Sequence, residues 1–367
     1  MSGAGPPAPS SGIGRRVSIA ELDRFVCQAL ERAEVPEGPA EIVAEALVTT
    51  DAMGISTHGT KLLAGYLKKL LARGYRPDAI PRIEREGPAW GIIDGDGGLG
   101  QIGCRAAVEL AMRKASQVGV AHVGLRNTGH IGAAGFFASF AARNGFVALV
   151  TGNDIPSVTA PGARRAVLGS NPLAWAAPTS NDPIVLDIAT AAVAGGKVYA
   201  ARMRGEPIPA SWLVDADGLP TTDASLYPDR ASLAPMAGHK GYGLGLFCEL
   251  LAGVLPGGRM TWEIGSWIFD DPSLPSGHNA SFTLWDPAIF ASRESYLERI
   301  DRLANEIRAV EPAVGSREVL LPGDLEWRRA LHAAADGILL PPDVVDKLDE
   351  AATLVTIPPC DYLDPDP

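Results

Sequence analysis

Cysteine is scarce in this sequence: there are four in 367 residues, widely separated and without a C-x-x-C pair. Disulfide frameworks and zinc clusters need grouped cysteines, so we expect neither a disulfide scaffold nor a bound metal. Long apolar runs are also missing, and none approaches the roughly 18 residues that a membrane-spanning helix needs. Arg15 and Arg16 are followed by the charged segment VSIAELDRF, which is unlike an export signal. These absences predict a cytoplasmic protein that does not insert into membranes.

Positive charge is in deficit, with 32 lysine and arginine residues against 43 aspartate and glutamate residues and a net charge of −11. A surface this acidic repels phosphate backbones and anionic lipids, so nucleic acid and membranes are not expected partners. A small anionic substrate is not excluded, because one buried cation outweighs the average surface charge. With 46% hydrophobic residues, the chain can form a large core. Its length suggests about two domains.

The order of apolar and polar residues predicts a mixed α/β (α+β) protein. Apolar residues recur at helical spacing between 17 and 74, and Ser18 is placed to cap the first helix through Glu21. From Trp90 onward short apolar strands alternate with helices, and 241–255 is apolar enough to predict a buried helix. We expect these divisions: a disordered tail at 1–16, a helical domain from 17–89 and 291–355, an α/β domain at 90–290, and a second tail at 356–367.

A glycine-rich turn at 95–100, GDGGLG, matches the G-x-G-x-x-G fingerprint of dinucleotide-binding folds and lies between a predicted strand and a predicted helix. That fingerprint needs an acidic residue roughly 20 positions later to hold the ribose hydroxyls. The corresponding segment, ASQVGVAHVG, has no acid, and Asp94 and Asp96 would repel a pyrophosphate at the turn. The sequence therefore favours a tight structural turn that needs glycine for positive φ angles, and a cofactor site elsewhere.

Two of the six histidines lie in segments suited to proton transfer, which histidine performs near neutral pH. His130 follows a predicted strand in NTGHIGAAG, and ligands bind at strand ends in open α/β sheets. His58 opens a helix in STHGTKLL, with Lys61, Leu62 and Tyr66 near its face. For each histidine the alternative is a structural residue at a capped helix start.

Two charged residues extend this candidate site. Asp187 lies in the apolar strand PIVLDIAT, where its carboxylate needs donors from a histidine, a cofactor or the next helix. Lys240 lies in AGHKGYGLGL at the start of an apolar helix, a position that suits an anion such as a cofactor phosphate. The alternative for Asp187 is a helix cap, and the segment around Lys240 is not a Walker A motif.

Taken in order, these segments resemble the malate/L-lactate dehydrogenase family, which also contains ureidoglycolate, sulfolactate and diketogulonate dehydrogenases and piperideine-carboxylate reductases. The resemblance runs from about Val17 to Glu350, nearly the whole chain. Each motif is weak alone, and the ordered set is specific: STHG (56–59), DGDGGLGQ (94–101), NTGHIGAAGFF (127–137), LGSNPLA (168–174), LDIAT (186–190), GGK (195–197), IPASWLVDADGLPTTD (208–223), GHKGYGLGL (238–246) and LPGD (321–324).

The resemblance implies both a fold and an activity. It implies a homodimer whose cofactor domain is built on a mostly antiparallel sheet and is not a Rossmann fold. It implies hydride transfer between NAD or NADP and C2 of a 2-hydroxy acid, or of the matching 2-oxo or 2-imino acid. The catalytic candidates that it implies are His58, His130 and Asp187, with either histidine as the acid/base. The cofactor contacts that it implies are Asp154, Asp187, Ile188, Ala189, Thr190, His239, Lys240, Gly323, Asp324 and Leu325.

Three positions depart from the family pattern. Leu62 stands where members carry an arginine that can clamp a substrate carboxylate, and Lys61 beside it is the candidate replacement. Asp154 follows Asn153 where the family often has serine, and a carboxylate there can accept from ribose hydroxyls, which favours NAD over NADP. Thr57 replaces the usual serine and keeps the hydroxyl. The candidate substrate residues are therefore Thr57, Lys61 and Leu62.

Three alternatives stay open. The first is a cyclic-imine (ketimine) reductase or a specialised biosynthetic dehydrogenase of the same family, which would suit the loss of the arginine. The second is a non-catalytic relative that binds a nucleotide or a partner, although the presence of His58, His130, Asp187 and Lys240 argues against it. The third is a metal hydrolase that uses histidine and aspartate.

Overall fold

A computed structural model describes residues 14–363 and shows ten α-helices and fourteen strands within that range. The helices are α1 (Ile19–Arg32), α2 (Glu37–Ala52), α3 (Leu63–Leu71), α4 (Gly100–Val118), α5 (Ala134–Arg143), α6 (Gly195–Arg204), α7 (His239–Glu249), α8 (Arg293–Arg308), α9 (Asp324–Asp336) and α10 (Pro342–Val355). The strands are β1 (Arg15–Val17), β2 (Arg82–Gly87), β3 (Trp90–Asp94), β4 (Val120–Thr128), β5 (Val147–Gly152), β6 (Val158–Thr159), β7 (Ala166–Leu168), β8 (Leu173–Ala177), β9 (Ile184–Ile188), β10 (Leu213–Asp215), β11 (Pro220–Thr221), β12 (Ala231–Leu233), β13 (His278–Trp285) and β14 (Ile338–Leu340).

Helices α1, α2, α3 and α10 share one apolar core. The oxygen of Ser18 accepts a hydrogen bond from the Glu21 amide at 3.1 Å, which confirms the predicted cap of α1. Beyond the cap, Phe25 and Leu30 of α1 are fully buried against α2 and α3. The predicted helical spacing is therefore the spacing of the buried face.

Both predicted tails contribute to this helical core. Strand β1 pairs antiparallel with β14, and Arg16 lies opposite Leu339. Near the other end of the chain Cys360 is buried, and the Leu363 amide donates to the Arg16 carbonyl at 2.8 Å. The predicted disorder was therefore wrong for 14–16, where Arg15 and Arg16 pair with β14, and the predicted tail at 356–363 packs on the same core. Residues 1–13 and 364–367 of the predicted tails lie outside the described residues.

A seven-stranded sheet carries the α/β part of the molecule, in the order β2-β3-β4-β13-β5-β8-β9. Strands β3 and β4 run parallel, whereas the other neighbouring strands run antiparallel. Helices α4 and α5 cover one apolar face, where Phe137 packs edge-on against Phe282 of β13. The expected mixed α/β fold with a mostly antiparallel, non-Rossmann sheet is confirmed.

The domain boundaries drawn from the sequence divide elements that pack together. Strand β2, placed in the helical domain by the boundary at 89/90, pairs with β3 at the edge of the large sheet. Helix α8, also assigned to the helical domain, buries Ala304 against Ile184 and Trp175 of β9 and β8. A smaller five-stranded sheet, β11-β10-β12-β6-β7, forms a separate apolar core with α6. Local periodicity identified these elements but did not reveal their packing partners.

The apolar segment 241–255 was expected to be a buried helix, and this was wrong for the single chain. It forms α7 followed by a π-helical turn, Leu250–Val254. Three of its large apolar side chains are substantially exposed: Leu246 at 50%, Phe247 at 44% and Leu250 at 42%. No helix within residues 14–363 is long and apolar enough to cross a membrane.

Candidate active site

One edge of the seven-stranded sheet collects the polar side chains that the sequence singled out. Strands β4, β5 and β9 end at this edge, and the antiparallel β13 begins there, because neighbouring strands run in opposite directions. Register confirms the alignment: His278 lies opposite Thr128, Ala280 opposite Gly152, and Leu173 of β8 opposite Ile188. The side chains at or just beyond this edge are His130, Asp154, Asp187 and His278.

His130 is fixed by contacts from several elements. The Tyr66 hydroxyl lies 2.9 Å from Nδ1 and also accepts a hydrogen bond from the Gln101 amide at 3.1 Å. The backbone amide of His130 donates to the Tyr75 hydroxyl at 3.1 Å. Nε2 makes no hydrogen bond to the residues that the structure describes. This leaves Nε2 available to a substrate, while a hydroxyl that can donate or accept supports either tautomer at Nδ1.

The glycine-rich turn 95–100 lies directly against the His130 loop. Asp96 and Gly97 have φ values of 55° and 66°, which the turn requires. A Cβ at Gly100 would lie 2.3 Å from the His130 carbonyl oxygen, so only glycine permits this approach. The turn thus has the structural role that the sequence favoured, and it places the start of α4 beside His130.

His58 lies next to His130, with ring centroids 6.0 Å apart and planes within 27° of parallel. Its Nδ1 lies 3.0 Å from the Thr57 hydroxyl. The loop that carries Thr57 and His58 is anchored by buried Asp51 of α2. Asp51 accepts hydrogen bonds from the Thr60 amide at 2.8 Å and from the Thr60 hydroxyl at 2.5 Å. The structure therefore brings together two histidines that lie 72 positions apart in the sequence.

Asp187 and Asp154 supply negative charge to this pair of histidines. The Asp187 carboxylate accepts a hydrogen bond from the Gly135 amide at 2.7 Å, and the residue keeps an exposed side. Asp154 Oδ1 lies 3.0 Å from His278 Nε2 and accepts from the Ile155 amide at 2.8 Å. Asp154 was expected to contact the cofactor ribose, whereas its carboxylate lies in the histidine cluster.

Burial and these charges set the ionisation of the cluster. Burial is the main reason that the pKa of His130 is lowered to about 3, and the charge of His278 lowers it further. Burial also lowers the pKa of His58, against the opposing effect of Asp187, and raises the pKa of Asp187. For Asp154, burial favours a higher pKa, but the hydrogen bond and charge of His278 outweigh it and lower the pKa. Neutral His58 and His130 beside an ionised Asp154 are the resting state near pH 7.

This arrangement can take a proton from a hydroxyl or return it to a carbonyl in a cleft partly shielded from water. In the described part of the chain, no group of three or more His, Cys, Asp or Glu side chains is arranged to hold a metal ion. The sequence profile of the family described as malate/L-lactate dehydrogenase matches residues 17–349. The chain belongs to this family. Relatives in this family include malate and sulfolactate dehydrogenases and an imine-carboxylate reductase. This protein is therefore an enzyme of the dehydrogenase and reductase class.

Individual members of the malate/L-lactate dehydrogenase family match almost from end to end. A malate dehydrogenase of Pyrococcus horikoshii is 32% identical over 93% of this chain and 96% of its own length. A Δ1-pyrroline-2-carboxylate/Δ1-piperideine-2-carboxylate reductase of Pseudomonas putida is 31% identical over 94% and 98%. The solved sulfolactate dehydrogenase of Methanocaldococcus jannaschii superimposes with a TM-score of 0.86, at 31% identity over 93% of this chain and 98% of that one.

The segments that the family resemblance assigned to the cofactor meet around β9. The Met236 amide donates to the Thr190 carbonyl at 2.9 Å, which joins the end of β9 to the start of α7 with His239 and Lys240. On the other side, the Val185 amide donates to the Pro322 carbonyl at 3.1 Å, next to Gly323, Asp324 and Leu325. Ile188 is the last residue of β9 and Ala189 follows it, and both are partly exposed. The expected cofactor segments are thus neighbours in space.

Two of these cofactor candidates have their side chains occupied within the protein. The Thr190 hydroxyl donates to the Ser170 carbonyl at 3.0 Å and is buried. The Asp324 carboxylate pairs with Arg308 at 2.6 Å and accepts from the Leu321 amide at 2.8 Å. Their backbone amides are bonded as well, that of Thr190 to the Ser170 carbonyl at 2.9 Å and that of Asp324 to the Leu321 carbonyl at 3.1 Å, so these two residues shape the site without a free polar group of their own.

The two substrate candidates after His58 point away from one another. Lys61 Nζ lies 2.5 Å from Asp343 of α10 in a partly exposed ion pair. Leu62 is buried in the helical core. This geometry favours the interpretation of Lys61 as a surface residue over its role as a carboxylate clamp.

Four residues of the site were not singled out in the sequence: Tyr75, Trp267, Ser276 and His278. Ser276 bridges two of them, with its oxygen 3.0 Å from the Tyr75 hydroxyl and 2.9 Å from His278 Nδ1. Trp267 stacks on His130 with ring centroids 4.8 Å apart. The one signal in the sequence was a histidine opening an apolar strand, in GHNASFTLW, but its importance depends on β13 pairing beside β4.

Proposed function

We propose that this enzyme is an NAD(P)-dependent oxidoreductase that interconverts 2-hydroxy acids and 2-oxo acids. The observation that carries the proposal is the pair of imidazoles, His58 and His130, held 6.0 Å apart beside Asp187 and Asp154. A nicotinamide cofactor, when bound, supplies or accepts the hydride at C2 of the substrate. The chain's own residues then have to bind the substrate, exclude water and move one proton.

The residues around β9 and α7 suit a dinucleotide by their chemistry. Lys240 is exposed in the first turn of α7, an eleven-residue helix whose free backbone amides and dipole favour an anion such as a pyrophosphate. Ile188 and Ala189, at the end of β9 and just beyond it, are partly exposed, and the Val185–Pro322 hydrogen bond places Gly323 to Leu325 on the other side of β9. The argument for NAD over NADP depended on Asp154 facing a ribose, and the pairing of Asp154 with His278 removes it. We therefore propose NAD or NADP.

His130 is our candidate for the proton-transferring residue. When a 2-hydroxy acid is oxidised, neutral His130 accepts the hydroxyl proton at Nε2 while the hydride leaves C2. The lowered pKa of His130 keeps its Nε2 unprotonated in the free site throughout the physiological range, but it also weakens the imidazole as a base, so the bound substrate has to raise that pKa for proton transfer. In the reverse direction the imidazolium returns that proton to the carbonyl oxygen. A bound substrate carboxylate favours the imidazolium by its opposite charge. His58, beside Thr57 and Asp187, would orient the substrate.

Substitution of the histidines tests this assignment. We expect His130→Ala to lower the turnover number by roughly 10²–10⁴-fold, the range of a positioned acid/base, and His58→Ala to be severe as well. Binding of the reduced cofactor, followed by its fluorescence, should survive in both. His332→Ala, an exposed position on α9, is the matched control. Near-normal turnover in both site variants would show that the catalytic assignment is wrong.

A second candidate function, reduction of a cyclic imine, is favoured by Asp154. One of its oxygens bonds to His278 and Ile155, and the other makes no hydrogen bond to the described residues. An ionised carboxylate near the acid/base stabilises a protonated imine, which accepts hydride more readily than a neutral one. Oxidation of NADH and NADPH should be compared for pyruvate, oxaloacetate and Δ1-piperideine-2-carboxylate. If the imine is the substrate, Asp154→Asn should reduce its kcat/KM more than that for any 2-oxo acid.

We also propose that the enzyme is a homodimer formed through the exposed face of α7. Leu246 and Leu250 lie one helical turn apart on this face, and Phe247 lies beside them, so they form an apolar stripe exposed in the single chain. A two-fold interface would bury this stripe against its own copy. Light scattering should give twice the chain mass for the wild type and a smaller mass for Leu250→Glu. A monomeric wild type would refute the proposal.

A further inference from the structure

A tryptophan covers the imidazole proposed as the acid/base. The Trp267 and His130 ring centroids are 4.8 Å apart, and their planes are within 21° of parallel. The same indole packs against Tyr66, the hydrogen-bond partner of His130, with ring centroids 5.2 Å apart. Trp267 is only partly buried, so it forms part of the cleft wall and is not wholly a core residue.

The position of this indole is determined by the helix that also carries Tyr66. A Cβ at Gly65 of α3 would lie 2.6 Å from Trp267 Cζ3, so the missing side chain makes room for the ring. One turn later, buried Lys69 donates to the backbone carbonyls of Leu274 at 2.8 Å and Asp271 at 3.3 Å. These contacts hold the loop between α7 and β13 against α3. Tyr66 and Trp267 therefore reach His130 from one rigid support.

We propose that Trp267 is a positioning residue that stabilises the protonated form of His130 by a cation–π contact. A cation within about 6 Å of an indole face is attracted by the negative charge of the ring face. Such contacts favour the charged form by roughly 2- to 30-fold, more for tryptophan than for phenylalanine. The inference rests on the proposed function, in which the imidazolium gives its Nε2 proton to the substrate oxygen and becomes neutral.

Several of the groups that face His130 affect whether its imidazolium form is stable. The groups that face it are Tyr66 of α3, His58 of the preceding loop, Tyr75, Asp154 beyond β5 and His278 of β13. Burial and the two histidines disfavour the imidazolium, and Asp154 favours it. Trp267 also favours the imidazolium, but because it carries no ionisable group it does not compete for the proton.

The test compares Trp267→Leu and Trp267→Phe with the wild type, and Trp90→Leu is the control for loss of a tryptophan. Trp90 lies opposite His122, toward the far end of β4 from the site. The first readout is the turnover number for reduction of a 2-oxo acid as a function of pH. The second is the dissociation constant for oxamate, measured by calorimetry with saturating reduced cofactor over the same pH range. Both report the pH above which the complex with the bound substrate or oxamate loses its proton, and in that complex the ligand carboxylate raises the pKa of His130 above its value in the free site.

In Trp267→Leu, this alkaline limb should move to lower pH by about 0.4–1.5 units in both readouts, the equivalent of a 2- to 30-fold change. Trp267→Phe should move it by less than half as far, and Trp90→Leu should leave it in place. A Trp267→Leu protein that is less stable but has an unmoved limb would show that the indole only packs, and would overturn the inference. If Trp267→Leu does not fold, an unmoved limb in Trp267→Phe overturns it instead.

The same data separate this inference from the proposed function. An active wild type with coincident limbs in every variant would leave the oxidoreductase function standing and refute the role of Trp267. A wild type that reduces neither 2-oxo acids nor cyclic imines would refute the proposed function, and the role of Trp267 with it.

Discussion

The hydroxyl of Tyr66 is the most informative single group to remove. Tyr66→Phe keeps the ring and its packing, so it creates no cavity, but it removes the oxygen 2.9 Å from His130 Nδ1 and 3.1 Å from the Gln101 amide. Tyr66 is fully buried, so water does not replace the oxygen. A buried donor left without a partner costs about 1–3 kcal/mol, which should lower the melting temperature by roughly 1–4 °C.

The loss of this hydrogen bond should also change catalysis, because His130 loses the contact that holds its ring in position. We expect the turnover number to fall by roughly tenfold, equivalent to about 1.4 kcal/mol, with little change in KM. The assays are steady-state kinetics between pH 5.5 and 9 and thermal unfolding of the same preparations.

The control is Gln101→Leu, together with the double variant. Gln101 contacts His130 only through Tyr66 among the bonds described, so the double variant should be no slower than Tyr66→Phe alone. A Tyr66→Phe enzyme with wild-type turnover across the whole pH range would refute the idea that this hydroxyl orients the acid/base.

Three further changes test other parts of the site. Lys61→Ala should leave KM within about twofold and cost under about 1 kcal/mol of stability, because its ion pair with Asp343 is partly exposed; a large rise in KM would restore the carboxylate-clamp interpretation. Gly135→Ala places a Cβ 2.8 Å from the Asp187 Cβ. It should therefore displace that carboxylate and lower turnover, whereas an unchanged rate would exclude Asp187 from catalysis. Burial raises the pKa of Asp51 to about 7, so the folded protein keeps a proton that the unfolded chain loses near pH 4. The free energy of unfolding of the wild type, relative to Asp51→Asn, should thus fall as pH rises from about 4 to 7 and stay level above 7; parallel stability curves would contradict the burial argument.

Many helices, strands and candidate site residues of this protein could be predicted from local sequence. Helical spacing and a capping serine predicted α1, and apolar runs bounded by glycine predicted the strands, because these signals depend on near neighbours alone. The choice of His58, His130 and Asp187 came from their positions at helix starts and strand ends, together with the ordered family motifs. The absence of an acid after 95–100 correctly separated the glycine-rich turn from a Rossmann fingerprint.

Other features were decided only by the tertiary structure. The contact between Asp154 and His278 exists because β13 and β5 pair in a register that places both residues at one end of the sheet. Trp267 lies against His130 because Gly65 leaves room for an indole that is about 200 residues away in the sequence. Lys61 pairs with Asp343 because α10 packs beside the loop that carries Lys61.

These two groups of features differ for a physical reason. Periodicity and capping are determined by interactions within a few residues, so a sequence displays them directly. Hydrogen-bond partners, ring stacking and pKa values depend on which distant segments lie side by side, and that follows from strand order and register. The sequence by itself was therefore enough to identify the family, the helices and strands, and the two candidate histidines. The tertiary structure alone decided which side chains surround them and so how they ionise.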